Sequence, residues 1–187
     1  MPLIRECIVT TVGQGGRVHM APLGLIEEDE GWILAPFAPS GTLDNLRASR
    51  RGTVNFTDDA RIFAGCVTGR RDWPLVGLDE PAAPRLAAAL AHAELEVTRI
   101  EEDAQRPRFH CRVVRQETHA PFLGMNRARA AVLEGAILAT RLSLLPREKI
   151  ESEMAYLAIA IDKTAGENER RAWRWITDKI DAYYARR

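Results

Sequence analysis

Within this 187-residue chain, the polar side chains placed where strands should stop and helices should start are the ones best able to do chemistry. They fall into four clusters. In His19-Met20-Ala21-Pro22-Leu23-Gly24, small residues on an extended run let a flat ring or a phosphate approach the backbone. The same residues also suit a bulge that curves a barrel. In Pro39-Ser40-Gly41-Thr42-Leu43-Asp44-Asn45-Leu46, a short helix begins. Its unpaired N–H groups and partial positive charge suit a phosphate, which Ser40 and Thr42 can hydrogen-bond while Gly41 clears space. Thr42 is expected to cap this helix, with Asn45 in the place a capping box gives to Glu or Gln. Arg47, Arg50 and Arg51 add nearby positive charge. In Asn55-Phe56-Thr57-Asp58-Asp59, alternation sets Asn55 and Thr57 on one face, an amide and a hydroxyl able to read the polar edge of a fused ring. Asp58 and Asp59 can work as a carboxylate pair or simply close the strand. In Phe122-Leu123-Gly124-Met125-Asn126-Arg127, Asn126 can cap a helix whose first turn holds Arg127. A cation there opposes the helix dipole, which makes Arg127 a candidate partner for an acid or a phosphate.

The familiar catalytic signatures are missing. There is no HExxH, GxSxG, Walker loop or GxGxxG, so no catalytic side chain is assigned. His19, His92, His110 and His119 show no pairing at metal-ligand spacing, and no metal site is expected. Cys7, Cys66 and Cys111 are odd in number, widely spaced and without a CxxC; they read as small buried apolar residues.

The elements that must position these clusters follow from periodicity. Strands are expected over 7–11, 18–27, 32–38, 52–57, 95–100 and 109–114, the first two joined by the Gln14-Gly15-Gly16-Arg17 turn. Short helices are expected after Thr42, where Leu43 and Leu46 face the core, over 60–67, and over the alanine-leucine run 85–93. Residues 68–84 read as a loop. Beyond Pro121 the pattern turns helical. One helix spans 126–142 with Ala130, Leu133, Ile137 and Leu138 facing inward. A second follows Pro146 with Ile150, Met154, Leu157 and Ile161. A third, after Gly166, buries Trp173, Ile176, Ile180 and Tyr184. The class is α+β: six antiparallel strands closed into a small barrel, short intervening helices, and a C-terminal helical subdomain of three helices. The division expected is 1–120 for the barrel and 121–187 for the helical part, packed on the barrel or on a partner subunit.

Lys plus Arg equals Asp plus Glu at 26 each, which excludes a general nucleic-acid binder needing surplus cation. No signal-peptide pattern opens the chain and no apolar run reaches the roughly 20 residues of a membrane helix, so a cytoplasmic protein with no membrane partner is expected.

Taken in order, Val9-Thr10-Thr11, His19 to Gly24, Pro39 to Leu46 and Val54 to Asp59 resemble the split-barrel flavin reductase superfamily. Within it the chain is most similar to the domain of unknown function 447 family, whose helical C-terminal part Phe122 to Arg127 and Leu145 to Ile150 resemble. The resemblance implies a split barrel that forms a homodimer, with one FMN at each end of the dimer interface. It implies a phosphate near Ser40, Thr42 and Asn45. The ring would lie against Ala21, Pro22, Leu23 and Gly24 on one strand and against Asn55, Thr57 and Asp58 on another, with His19 and Arg127 as further contacts. An oxidoreductase acting through the flavin is the expected function, with His19 the residue to test as proton donor. The alternatives are a non-catalytic flavin-binding or sensing module, or a barrel holding another cofactor. Haem would take an axial ligand from His19 or His119. A deazaflavin would need Arg47, Arg50 and Arg51 to converge.

Overall fold

The computed structural model describes residues 2–28 and 31–186. They form two compact units, one of residues 1–57 and 73–122 and one of residues 58–72 and 123–187.

The first unit is a closed barrel. Its strands are β1 (Ile4–Val12), β2 (Val18–Glu28), β3 (Gly31–Leu34), β4 (Arg51–Phe56), β7 (Ala91–Glu101) and β8 (Arg108–Thr118). They close in the order β1-β2-β3-β8-β7-β4, with every ladder antiparallel. Alternation sends Cys7, Val9, Leu25, Leu34, Val54, Leu95, Val97, Phe109 and Cys111 to one interior cluster. Helix α1 (Gly41–Ser49) adds Leu43 and Leu46 to that cluster, as their spacing predicts. At the β1–β2 turn Gly15 and Gly16 take positive φ, 76° and 75°, open to glycine at no steric cost.

The alanine-leucine run 85–93 is not a helix. Residues 85–86 form β6, paired with β5 (Leu75–Val76), and Ala91 already opens β7. Helix propensity loses here to polar side chains of the barrel wall that claim this segment's backbone. Thr10 Oγ1 donates to the Pro84 carbonyl at 2.7 Å and Thr53 Oγ1 to the Ala83 carbonyl at 2.6 Å. Asn55 Oδ1 accepts from the Leu86 N–H at 2.7 Å. These bonds hold residues 83–86 extended along the barrel wall, where the start of a helix would have to turn.

The second unit is helical: α2 (Ala60–Val67), α3 (Arg127–Ala139), α4 (Arg147–Thr164) and α5 (Glu167–Tyr184). The stripes expected on α4 and α5 are inward, with Ile150, Ile161, Ile176 and Ile180 buried and Met154, Leu157, Trp173 and Tyr184 packed against them. On α3 the expected stripe is displaced. Ala130 is exposed and Leu133 and Ile137 are half-buried, while Ala128, Ala131, Val132, Gly135, Ala136 and Ala139 face the core beside Leu138. Small side chains on that face let neighbouring helices come close, which outweighs the bulk of the residues on its flank. No helix among the described residues is long and apolar enough to cross a membrane.

Candidate functional site

The start of α1 gathers most of the polar residues singled out from sequence. Ser40, with extended backbone at φ −156° and ψ 148°, is the N-cap, and its Oγ accepts from the Leu43 N–H at 3.3 Å. Thr42 therefore does not cap. It sits one position inside the helix, 1% exposed, with its hydroxyl lacking any hydrogen-bond partner. Such a buried hydroxyl costs about 1–3 kcal/mol. The cap takes the Leu43 N–H and the helix takes that of Asp44 through the Ser40 carbonyl. The N–H groups of Gly41 and Thr42 have no helical partner, as at any helix start. A Cβ on Gly41 would meet the His19 ring at 3.2 Å, so the bare backbone of Gly41 lies close against that imidazole. Asn45 Nδ2 donates to Thr11 Oγ1 at 2.9 Å, tying α1 to β1, and Thr11 is the cross-strand neighbour of His19. Ser40, Gly41, Thr42, Asn45 and His19 are thus one assembly.

Strand β2 supplies an edge beside it. Its residues Leu25–Glu28 pair with β3, while Val18–Gly24 pair only with β1 among the described residues. Ala21, Pro22, Leu23 and Gly24 are half-buried along that stretch. Pro22 has no N–H to give a second ladder, which suits an edge. A Cβ on Gly24 would stand 2.7 Å from Ile4 Cγ2.

The remaining candidates go elsewhere. Asn55 faces away from Val54 as alternation requires, yet it is fully buried. The segment carrying Leu86 covers it, and its amide nitrogen donates to the Ile8 carbonyl at 3.0 Å. Thr57 donates to the Ala88 carbonyl at 2.8 Å. Asp58 belongs to the helical unit and is ion-paired with Arg129, which also meets Glu169 at 3.3 Å. Asp59 caps α2 through the Arg61 N–H and pairs with the Arg61 guanidinium, so the two aspartates are spent on separate arginines. Arg127 is exposed at the first position of α3, behind the Asn126 cap, whose Oδ1 accepts from the Arg129 N–H at 3.1 Å.

Arg47, Arg50 and Arg51, in the last turn of α1 and just beyond it, do not converge on its start. Arg47 pairs with Glu102 and Arg51 with Glu96. Arg50 forms the left-handed cap at the far end of the helix, roughly 13 Å of helical rise from Gly41. A cleft of about 640 Å³ on the barrel, lined by Glu27, Trp32, Arg99, His110 and Arg112, holds none of the sequence-derived candidates.

Sequence spacing gave no histidine pair, but the barrel makes one. His92 and His119 lie with Nδ1 and Nε2 2.8 Å apart, because the β7–β8 register sets His92 opposite Glu117, two residues before His119. Burial, and then His119, hold the His92 imidazole below its ordinary pKa.

Residues 5–120 match the sequence model of the "Protein of unknown function (DUF447) N-terminal domain", and residues 126–178 match that of "Protein of unknown function (DUF447)". The chain belongs to the DUF447 family. Among solved structures, this DUF447 chain is similar to the FMN-bound protein MM1853 from Methanosarcina mazei, itself of that family. The TM-score is 0.82 at 22% identity, over 96% of each chain. It is also similar to Pseudomonas fluorescens 2-nitrobenzoate 2-nitroreductase NbaA, with a TM-score of 0.53 and 21% identity over 64% of this chain and 66% of that one. A third is the Streptomyces globisporus NADH:FAD oxidoreductase SgcE6, at 0.51 and 17% over 63% and 77%. No curated protein sequence matches the chain. The flavin-reductase-like split barrel expected from the sequence is thereby the fold of this DUF447 protein.

Proposed function

We propose that this protein binds FMN at the start of α1 and serves as a flavin-dependent oxidoreductase, with the flavin held at a homodimer interface. The observation that carries the reading is the Thr42 hydroxyl, buried and without an acceptor in the first turn of the helix. A phosphate placed there would accept from Thr42 and from the N–H groups of Gly41 and Thr42, with the helix dipole favouring its charge. His19, whose ring lies against Gly41, lines the same spot. The half-buried edge Ala21 to Gly24 gives a flat face for the ring system. The resemblance to FMN-bound MM1853 across 96% of the chain supports the same ligand.

Bound FMN supplies hydride and one-electron chemistry of its own. The residues of this chain then need only bind, orient and exclude water, which agrees with a sequence lacking any catalytic signature. Asn55 supports the site from behind, fixing β4 to β1 and to the segment that covers both. Three buried free thiols fit a reducing, cytoplasmic setting.

The other cofactors fit less well. Haem ligation by His119 would have to displace its contact with His92. A deazaflavin with extra negative charge would have to draw Arg47 and Arg51 from their carboxylates.

An absorbance spectrum of the purified protein, an FMN titration and anaerobic addition of NADH or NADPH test the reading. Expected are flavin bands, one FMN per chain, and bleaching by a reduced nicotinamide. Ser40→Ala with Thr42→Ala should weaken FMN binding at least tenfold while the circular dichroism stays unchanged. Unaltered affinity in that double variant would remove the phosphate assignment. FMN that binds but is never reduced would leave a non-catalytic flavin module.

A further inference from the structure

We infer that His92, Glu117 and His119 form a binding site for a divalent transition-metal ion of the zinc class. The strand register builds it. His92 on β7 is the direct cross-strand partner of Glu117 on β8. His119, one residue past the end of β8, is fixed by its own N–H donating to the Leu90 carbonyl at 2.7 Å. One ligand atom from each of the three side chains lies within 4.8 Å of the others. The histidine rings are 9° from parallel with centroids 5.0 Å apart and nitrogens 2.8 Å apart, so they meet edge to edge with their ring nitrogens facing. Face-on stacking would leave those nitrogens aimed past each other.

A second observation points to a ligand. His92 is fully buried, and its other nitrogen, Nε2, lies 3.7 Å from Glu94 Oε1. Both atoms are buried and neither has a hydrogen-bond partner. A proton on Nε2 faces the Glu94 carboxylate across that gap. It leaves Nδ1 with its lone pair turned toward Glu117 and His119. A ligating histidine whose far nitrogen faces a carboxylate is the usual second layer of a metal site, fixing both tautomer and ring orientation.

Two imidazoles and one carboxylate suit zinc and its neighbours rather than magnesium or calcium, which take all-oxygen sets. Metal–nitrogen bonds of about 2.0–2.1 Å would part the two nitrogens to about 3.3 Å in a tetrahedral site. His119 is exposed and can turn by that amount, while the buried His92 stays put. One Glu117 oxygen receives Arg115, leaving the other for the ion. Solvent reaches the cluster from the His119 side and can fill a remaining coordination position. The ion would clip the start of β7 to the segment leaving β8.

Titration of chelator-treated full-length protein with zinc chloride by calorimetry at pH 7.5 tests this, and it does not depend on whether flavin binds. Expected are one ion per chain, a dissociation constant of micromolar or below, and a higher melting temperature with zinc. His119→Ala, at an exposed position, should weaken binding at least tenfold, and so should Glu117→Gln. His110→Ala, beside Glu101 at the other end of the hairpin, should leave it unchanged. No saturable binding up to millimolar zinc would overturn the assignment. So would binding that survives His119→Ala, or binding lost in His110→Ala.

Discussion

Thr42 and Ser40 divide one task that their spacing alone leaves undivided. Both were legible as polar residues at a helix start. Which of them caps depends on where the backbone leaves extended geometry, and that is set by the packing of Leu43 and Leu46, not by residue type. The division allows a sharp test. Thr42→Val removes a hydroxyl that has no partner while keeping the branched shape. The FMN-free variant should melt higher than the native protein, with a gain of about 1 kcal/mol, and its FMN affinity should fall about tenfold, near 1.4 kcal/mol. Melting curves and a fluorescence titration read both effects, and equal affinity for FMN would place the phosphate elsewhere. Asn55 was legible as to face, but not as to exposure, since the covering segment lies 31 residues away. Asp58 likewise meets Arg129 from 71 residues away. At Cys66 the sequence reading as a buried apolar residue agrees with a thiol 4% exposed, whose pKa burial pushes from 9.0 up to about 11. Below pH 9 the thiol is protonated in both the folded and unfolded states. Above it the unfolded chain loses the proton first, so stability falls as pH rises toward 11. Between pH 9 and 10 the native protein should lose about 1 kcal/mol more stability than Cys66→Ala in urea unfolding. Parallel losses would show that the folded state does not shield this thiol.

Elements with a single strong period were the easiest to read. The barrel strands, α4 and α5 each repeat one spacing and each forms; β3 stops at Leu34, four residues short of its expected end, while β7 begins at Ala91 and β8 runs on to Thr118, each four residues beyond the expected bounds. In segment 85–93 composition and period favour a helix that the structure does not form. The competing hydrogen bonds come from Thr10, Thr53 and Asn55 on other strands. Helix α3 was read by its large side chains, whereas packing selected its small ones. Gly135 makes the point quantitative. In an isolated helix Gly→Ala gains about 1 kcal/mol. Here a Cβ would lie 2.9 Å from Trp173 Cζ3, with Ile176 and Met154 at 3.6 Å. The rigid indole has little room to yield, and overpacking of this kind costs about 1–3 kcal/mol. Gly135→Ala should therefore lower the urea midpoint while leaving helical circular dichroism intact. A more stable variant would mean that α3 and α5 are not held at this close approach.

For the molecule as a whole, six antiparallel strands close around an interior filled by Val9, Leu25, Leu34, Val54 and Phe109, so a ligand has to lie against the outside of the barrel. A ring the size of a flavin laid against β2 would then be covered on one side only. This is the physical reason for proposing a second copy of the chain. An apolar pair in the helical unit, Leu123 and Met125, 89% and 91% exposed, gives a surface such a partner can bury. Light scattering should therefore report twice the chain mass. A ligand that binds only the folded dimer stabilises it by RT ln(1 + [L]/Kd), about 2.7 kcal/mol at one hundred times Kd. FMN should accordingly raise the melting temperature and make it depend on protein concentration as well as on flavin. Leu123→Asp combined with Met125→Asp, both at exposed positions, should shift the mass toward the monomer and weaken FMN binding together. If the mass falls and FMN binds as before, the flavin needs only one barrel, and the reason given for pairing fails while the site at α1 stands.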